Sequence, residues 1–422
     1  MNATIRAAMG LLAMALSARA QAPGRDSATI PLDERMLAAA HIYATVHTDF
    51  GLWDRIPEVK LDDVFHQYLV QAIATDRRYD FDLATLALIG RLRSGHTWFD
   101  DAWLEREYGA PLGFTARVIG QQWVVSRSGI RGLQAGDVIQ TIDGRTMDAF
   151  YETHRPFISG SNERETRDGL FQAPYLFPQR FTLHLSDGRD VGVDRSQRLT
   201  EPVAQVESRW IVKDQVRYIR LPSFGDASVG VWARDQVNQF RHAAALIIDV
   251  RGNLGGMAGP TSEVQAALLG TTRARWRERT PARIGRLEAD GAEQSELSYE
   301  RAPPIQRFQA APDSAFYTGR VVILMDGECT SSCEDFVMPF KGHPRATLVG
   351  DTTAGTFSQT VHSVFGGMIV SIATTEVYFT DGSQFEGIGV APDILVRPTI
   401  ADLKEGRDPV LARAVEVIAA NR

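Results

Sequence analysis

"AALIIDVRGNLGG", residues 244–256, runs apolar from Ala245 to Val250 with only Asp249 interrupting, then turns into a loop with glycines at 252, 255 and 256. A short apolar run without alternation suits a strand covered on both faces, as in a partly parallel sheet. Three other stretches read the same way: "VRYIRLPSF" at 216–224, "VVILMDG" at 321–327 and "RATLVGD" at 345–351. Buried strands separated by helical segments predict an α/β unit over residues 201–422. Within it, residues 270–317 are rich in Arg, Glu and Gln and read as an insertion or lid.

Working outward, the texture changes twice. Residues 104–200 carry short strands and turns, "LGFTARVIGQQWVV" at 112–125, "GLQAGDVIQTIDGRTM" at 132–147 and "FTLHLSDGRDVGV" at 181–193, with Asp143-Gly144 as a tight turn. Ahead of them, residues 21–103 read as a small helical domain. Its apolar positions fall at helical spacing: Leu37, Ala40, Ile42 and Val46, then Val64, Tyr68, Leu69 and Ile73, then Leu83, Leu86, Leu88 and Leu92. It ends in "RSGHTWFDD" at 93–101, where Gly95 breaks the helix before His96.

The chain of 422 residues is 44% hydrophobic and 23% charged, an ordinary globular composition. A net charge of -7, with its basic residues scattered, gives no footprint for nucleic acid. The opening "MNATIRAAMGLLAMALSARAQA" has Arg6, an apolar run from Ala7 to Leu16 and the small-x-small pattern Ala18-Arg19-Ala20. That order predicts a secretory signal peptide over 1–20 and a mature chain that is periplasmic or secreted. The apolar run is too short to span a bilayer, and no cysteine follows the cleavage pattern to take a lipid anchor.

The chemistry concentrates in "ECTSSCEDF", residues 328–336. Ser331 stands where a strand ends and a helix, expected over 332–341, begins. Helix amides at such a turn favour a developing negative charge, which suits a nucleophile; Ser and Thr are equally the preferred helix N-caps. The glycine-rich loop at 252–256 can offer free N–H groups to an oxyanion, and such loops also cradle phosphates. Cys329 and Cys333, the only cysteines, can be bridged if the backbone brings their Cβ atoms close. As a zinc site they fall short of four ligands, and as nucleophiles they need a base of their own.

Four motifs in order, "IIDVRGNLGG" (247–256), "TSSCEDF" (330–336), "GHPRATLVGDTTAG" (342–355) and "FEGIGVAPDILV" (385–396), resemble the tail-specific, or carboxyl-terminal-processing, serine peptidases and their tricorn relatives. The likeness covers roughly residues 90 to 400. It implies a crotonase-like spiral for the α/β core and makes Ser331, three residues before Glu334, the nucleophile. The best-known branch places a lysine base 25 residues after the serine; that position is Thr356, and the four lysines, Lys60, Lys213, Lys341 and Lys404, lie elsewhere. The tricorn-like branch instead uses a histidine from a "GHT" motif, matched here at His96. Glu386 is the expected third member of the triad, with Asp100, Asp101 and Glu334 competing and Ser94 as a possible relay; His362 is the alternative base. The oxyanion hole falls to the amides of Gly255 or Gly256 and of Ser332.

Residues 104–200 resemble a bacterial PDZ domain at Gly136-Asp137 and Asp143-Gly144. That likeness implies that the amides of Leu112, Gly113 and Phe114 hold the terminal carboxylate of an apolar protein tail. The expected function is that of a serine endopeptidase without metal or organic cofactor. The rival readings are a binding protein that keeps the fold without cleaving, and a hydrolase of small esters or amides.

Overall fold

The computed structural model describes residues 27–197, 199, 204–270, 273–283, 297–299, 305–308 and 316–420. The segment read as a signal peptide, 1–20, lies outside the described residues.

Helices α1 (Leu32–Asp49), α2 (Leu61–Ala74) and α3 (Arg78–Gly90) form the N-terminal unit. Its core holds Ile42, Val46, Phe81 and Leu88, together with Phe365, Met368, Val370 and Ile372 from far down the chain. Those last four belong to the hairpin β17 (Thr360–Phe365) and β18 (Met368–Ala373), and β1 (Trp98–Asp101) pairs antiparallel with β18. The turn carrying His96, between α3 and β1, is thereby stitched to the C-terminal half. Thr97 Oγ1 accepts from the Ala373 amide at 3.1 Å, and the His96 carbonyl accepts from Ser371 Oγ at 3.4 Å. The strand's other end is fixed by a buried ion pair, Arg78 Nε to Asp101 Oδ2 at 2.6 Å, while Asp101 also caps α4 (Ala102–Tyr108) through the Trp103 amide.

The second unit is an antiparallel sheet of β2 (Phe114–Ile119), β3 (Gln122–Ser128), β4 (Val138–Ile142), β6 (Arg180–Leu185) and β7 (Asp190–Asp194), in that spatial order. Strand β5 (Arg145–Thr146) folds back on β4 through Asp143 and Gly144, whose φ values of 48° and 75° are those of a two-residue hairpin turn. Helices α5 (Met147–His154) and α6 (Glu163–Gly169) complete this unit.

The third unit is a six-stranded sheet in the order β20 (Ile394–Leu395), β16 (Ala346–Gly350), β15 (Arg320–Met325), β10 (Ala245–Asp249), β9 (Val216–Arg220) and β8 (Glu207–Val212). All its pairs are parallel except β8 with β9. Ile219, Leu246, Ile248 and Ile323 share one core cluster with residues of α7 (Ala227–Gln239), α8 (Ala258–Leu268) and α9 (Ser332–Val337). Tyr218, Ala245, Ile247 and Leu324 pack instead with Val410, Ala414 and Ile418 of α11 (Pro409–Ala420), which follows α10 (Ile400–Glu405). Cover on both faces explains the unbroken apolar runs, since each fully buried Ile or Leu contributes about 1.5–3 kcal/mol. The described part of residues 270–317 contains four strands: β11 (Arg273–Arg279), β12 (Pro281–Arg283), β13 (Leu297–Tyr299) and β14 (Ile305–Phe308). β11 sits between β14 and β19 (Glu376–Tyr378), so this part of the insertion is joined to the core. Among the described residues no helix is long and apolar enough to cross a membrane.

Candidate active site

Strand β15 ends at Met325, and six residues later Ser331 introduces α9 with φ 58° and ψ -123°. A non-glycine residue in this region is strained and persists only where its surroundings over-determine it. Here the Ser331 amide donates to the Thr356 carbonyl at 3.1 Å and to Glu334 Oε2 at 3.3 Å. A disulfide joins Cys329 to Cys333, with Cα atoms 5.3 Å apart, so the turn is also closed covalently. The expected helix 332–341 stops at Val337 and passes into a 3-10 turn over Met338–Phe340, where Pro339 has no N–H to extend the α-helical ladder.

The loop after β10 lies against this turn. Gly255 has φ 89°, and a Cβ there would come within 2.8 Å of Ser331 Cβ and 2.6 Å of the Thr330 carbonyl oxygen. The Thr330 amide donates to the Asn253 carbonyl at 3.1 Å, and Ser332 Oγ donates to the Gly256 carbonyl at 2.7 Å. Of the two glycine amides expected at an oxyanion hole, that of Gly255 is engaged by Asn253 Oδ1 at 2.8 Å. Among the described residues, those of Gly256 and Ser332 have no acceptor within the chain, so they are the pair left for an oxyanion.

His96 arrives from the N-terminal unit with Nε2 2.9 Å from Ser331 Oγ, two groups 235 residues apart in sequence. Its other nitrogen, Nδ1, lies 3.2 Å from Thr356 Oγ1. Thr356 Oγ1 is 3.0 Å from Ser161 Oγ, which in turn is 2.5 Å from Glu386 Oε1. Glu386 therefore does not touch His96 directly, as the expected triad would have it. Two hydroxyls stand between them, because Thr356 fills the space beside Nδ1. The Gly95 amide donates to Ser161 Oγ at 3.0 Å, and the Phe357 amide to Glu386 Oε2 at 3.1 Å.

Four of the five competing residues, Asp101, Ser94, Glu334 and His362, have other partners. Asp101 is held by Arg78, and Ser94 Oγ accepts from the His96 amide rather than relaying from the ring. Glu334 accepts from Thr353 Oγ1 at 2.5 Å and from the amides of Gly355 and Thr356 at 2.7 and 3.0 Å, so it fastens the Thr356 loop to the serine turn. His362 lies on β17 with Nε2 3.3 Å from Thr360 Oγ1 and its ring beside Trp98, away from Ser331. Sequence reasoning did not find Ser161, which sits in a loop before α6 with no catalytic pattern around it. Thr356 carried a signal, since it occupies the position of the family's lysine.

Burial sets the protonation states. It pushes His96 down to about 4, so the imidazole is neutral and able to accept a proton across the neutral range. It pushes Glu386 up to about 7, while the Arg55 guanidinium and the donors from Ser161 and Phe357 pull the other way. Glu165, which accepts from the Ser161 amide at 2.6 Å, and Glu334 are both raised to about 8 by burial.

Leu112, Gly113 and Phe114 are not brought to the serine. Leu112 and Phe114 are buried in the core of the second unit, and a Cβ on Gly113 would meet Leu199 at 2.9 Å and Ile130 at 3.2 Å. That unit does touch the site by another edge. Thr115 and Ala116 of β2, with Asp168 and Phe171, face Gly252, Leu254 and Glu328 across a cavity of about 10 Å³.

Residues 215–396 match the profile of Peptidase family S41. Over those residues the chain is similar to the S41 peptidases. Over 292 residues it is 23% identical to a carboxy-terminal-processing protease of Bartonella bacilliformis, taking in 67% of this chain and 59% of that relative, so it spans less than two thirds of the relative's length. In fold the chain is similar to mature CPAF complexed with lactacystin, with a TM-score of 0.69 at 14% identity over 92% of this chain and 98% of the other. It is also similar to the photosystem II D1 C-terminal processing protease, with a TM-score of 0.54 at 18% identity over 86% and 93%. The S41 match ends at residue 396 and begins at 215, so Ser331, Thr356 and Glu386 fall within it while His96 and Ser161 are supplied from outside.

Proposed function

We propose that this chain is a serine peptidase of the tricorn-like kind, in which Ser331 attacks a peptide carbonyl and His96 is the general base. The observation that carries this reading is the 2.9 Å approach of His96 Nε2 to Ser331 Oγ. Counting protons gives the relay its direction. An ionised Glu386 only accepts, so the one Ser161 proton goes to it rather than to Thr356 Oγ1, to which Ser161 is also placed to donate; Thr356 Oγ1 accepts from His96 Nδ1–H. Nε2 is left bare to take the Ser331 proton. As the tetrahedral intermediate forms, its oxyanion faces the Gly256 and Ser332 amides, and the imidazolium is stabilised through the relay by Glu386. His96 then returns the proton to the leaving amine, and water resolves the acyl-enzyme by the same steps.

The substrate is a polypeptide, and its apolar carboxyl-terminal tail is taken up by the PDZ-like unit at the Leu112-Gly113-Phe114 amides. The core is crotonase-like, and the enzyme works in the periplasm or outside the cell. The test is covalent labelling with a fluorophosphonate. Wild-type protein is expected to gain one adduct, mapped to Ser331 by peptide mass spectrometry, with the rate reduced at least about 100-fold in His96→Ala. An adduct elsewhere, or none, would overturn the reading.

A further inference from the structure

The relay described above can run in two directions. If Glu386 takes up a proton it donates to Ser161, Ser161 to Thr356 and Thr356 to His96 Nδ1. The imidazole proton then resides on Nε2, where it blocks acceptance from Ser331. The direction depends on whether Glu386 is ionised, and thus on what surrounds it. Three carboxyls act on it or lie close to it: Glu165 of α6, Glu334 of α9 and Glu376 of β19, the last already paired with Arg279. Glu376 opposes its charge, and Glu165 and Glu334 do so once they ionise, near pH 8.

One cation lies within 4.0 Å of Glu386 among the described residues: Arg55, with Nη1 3.8 Å from Oε1. It stands on a 3-10 turn, Trp53–Arg55, of the N-terminal unit. Nη1 donates to the Arg93 carbonyl at 3.2 Å, and Nη2 donates to the Ser161 carbonyl at 3.1 Å. Its Nε is buried without a partner among the described residues. A Cβ on Gly387, beside Glu386, would come within 2.8 Å of Nη2, so the glycine makes room for the guanidinium. Arg55 thus touches all three segments that meet behind His96: the turn before the histidine, the Ser161 loop and the Glu386 loop.

We propose that Arg55 is a positioning residue that fixes the direction of the hydroxyl relay by keeping Glu386 ionised and the Ser161 loop in place. This rests on the Ser331–His96 reading. The partners of Arg55 are Glu386 and the carbonyls of Arg93 and Ser161, so its effect belongs to the pH dependence of Ser331 reactivity rather than to substrate affinity.

The experiment follows the rate of Ser331 phosphonylation by a fluorophosphonate from pH 5 to 10 in wild type, Arg55→Met and Arg55→Lys, and in Glu386→Gln with and without Arg55→Met. Arg55→Met is expected to move the acid limb up by about one unit, lowering the rate at pH 7 about 5-fold with recovery to within about 3-fold at pH 9 to 10. Arg55→Lys retains the charge and should keep the limb within about half a unit of wild type, which carries the test if the methionine variant does not fold. In the Glu386→Gln background, Arg55→Met should change the rate less than about 2-fold. An equal loss at every pH, or the same loss without Glu386, would overturn the proposal and reduce Arg55 to a prop for two carbonyls. Wild type that is never labelled at Ser331 would instead remove the underlying reading, and this inference with it.

Discussion

Replacing Thr356 by valine removes one hydroxyl and leaves nearly the same shape. Thr356 is fully buried and its Oγ1 has two partners, His96 Nδ1 at 3.2 Å and Ser161 Oγ at 3.0 Å. In the transition state the imidazole is charged, and a hydrogen bond to a charged group contributes about 1.5–3 kcal/mol. At 1.36 kcal/mol per decade, the valine variant should lose about 10- to 150-fold in kcat. Because the side chain does not reach the substrate, KM should stay within about 2-fold of wild type. Thr356→Ser keeps the hydroxyl and should retain kcat within about 3-fold. The assay is steady-state hydrolysis of a fluorogenic peptide from pH 6 to 9, with circular dichroism and thermal melts to show that the variants fold. A valine variant as active as wild type would refute the relay, and a serine variant as poor as valine would assign the effect to packing.

Two further outcomes concern stability. Glu165 and Glu334, raised to about 8, and Glu386, raised to about 7, bind protons in the folded state that they lose near 4.5 when unfolded. Between those values the native state holds more protons, so these groups stabilise the fold at low pH and the contribution is lost as pH rises toward 8. His96, lowered to about 4, acts in the opposite sense only below its ordinary value of 6.5. The melting temperature should therefore fall from pH 6.5 to 8.5, and less steeply in Glu165→Gln; a flat profile for wild type would contradict this. Separately, replacing both Cys329 and Cys333 by serine opens a five-residue loop and should destabilise the protein by about 2 kcal/mol in urea unfolding, with loss of activity because Ser331 lies inside the loop. An unchanged urea midpoint would count against any role for the bridge.

What the sequence made legible follows the physics of each element. Ala245–Val250 could be read as a two-faced buried strand because a parallel sheet covered by helices leaves no polar side to alternate with. Asp143-Gly144 could be read as a hairpin turn because few residue pairs tolerate two positive φ values. The helical period of the N-terminal unit held, yet Leu37 and Ile73, counted among its apolar positions, are 61% and 54% exposed. The unit takes part of its core from the hairpin 360–373 instead, a pairing that local pattern cannot reveal. Ser331 and His96 were found through ordered motifs rather than through periodicity. The link from His96 to Glu386 was not, because it passes through Ser161 in a loop whose composition reads only as a turn, and through a threonine noticed for the lysine it replaces. Gly255 and Gly256 could not be told apart without knowing that the Asn253 side chain takes the first amide.

The central claim is that Ser331 and His96 act together on peptide bonds. Its most direct test is incubation of unfolded, apolar-tailed polypeptides with wild type, Ser331→Ala and His96→Ala, with the products read by mass spectrometry. Defined cleavage by wild type, lost in both folded variants, is the predicted result. Cleavage that survives in Ser331→Ala or His96→Ala, or a wild type that binds such tails and leaves them intact, would contradict it.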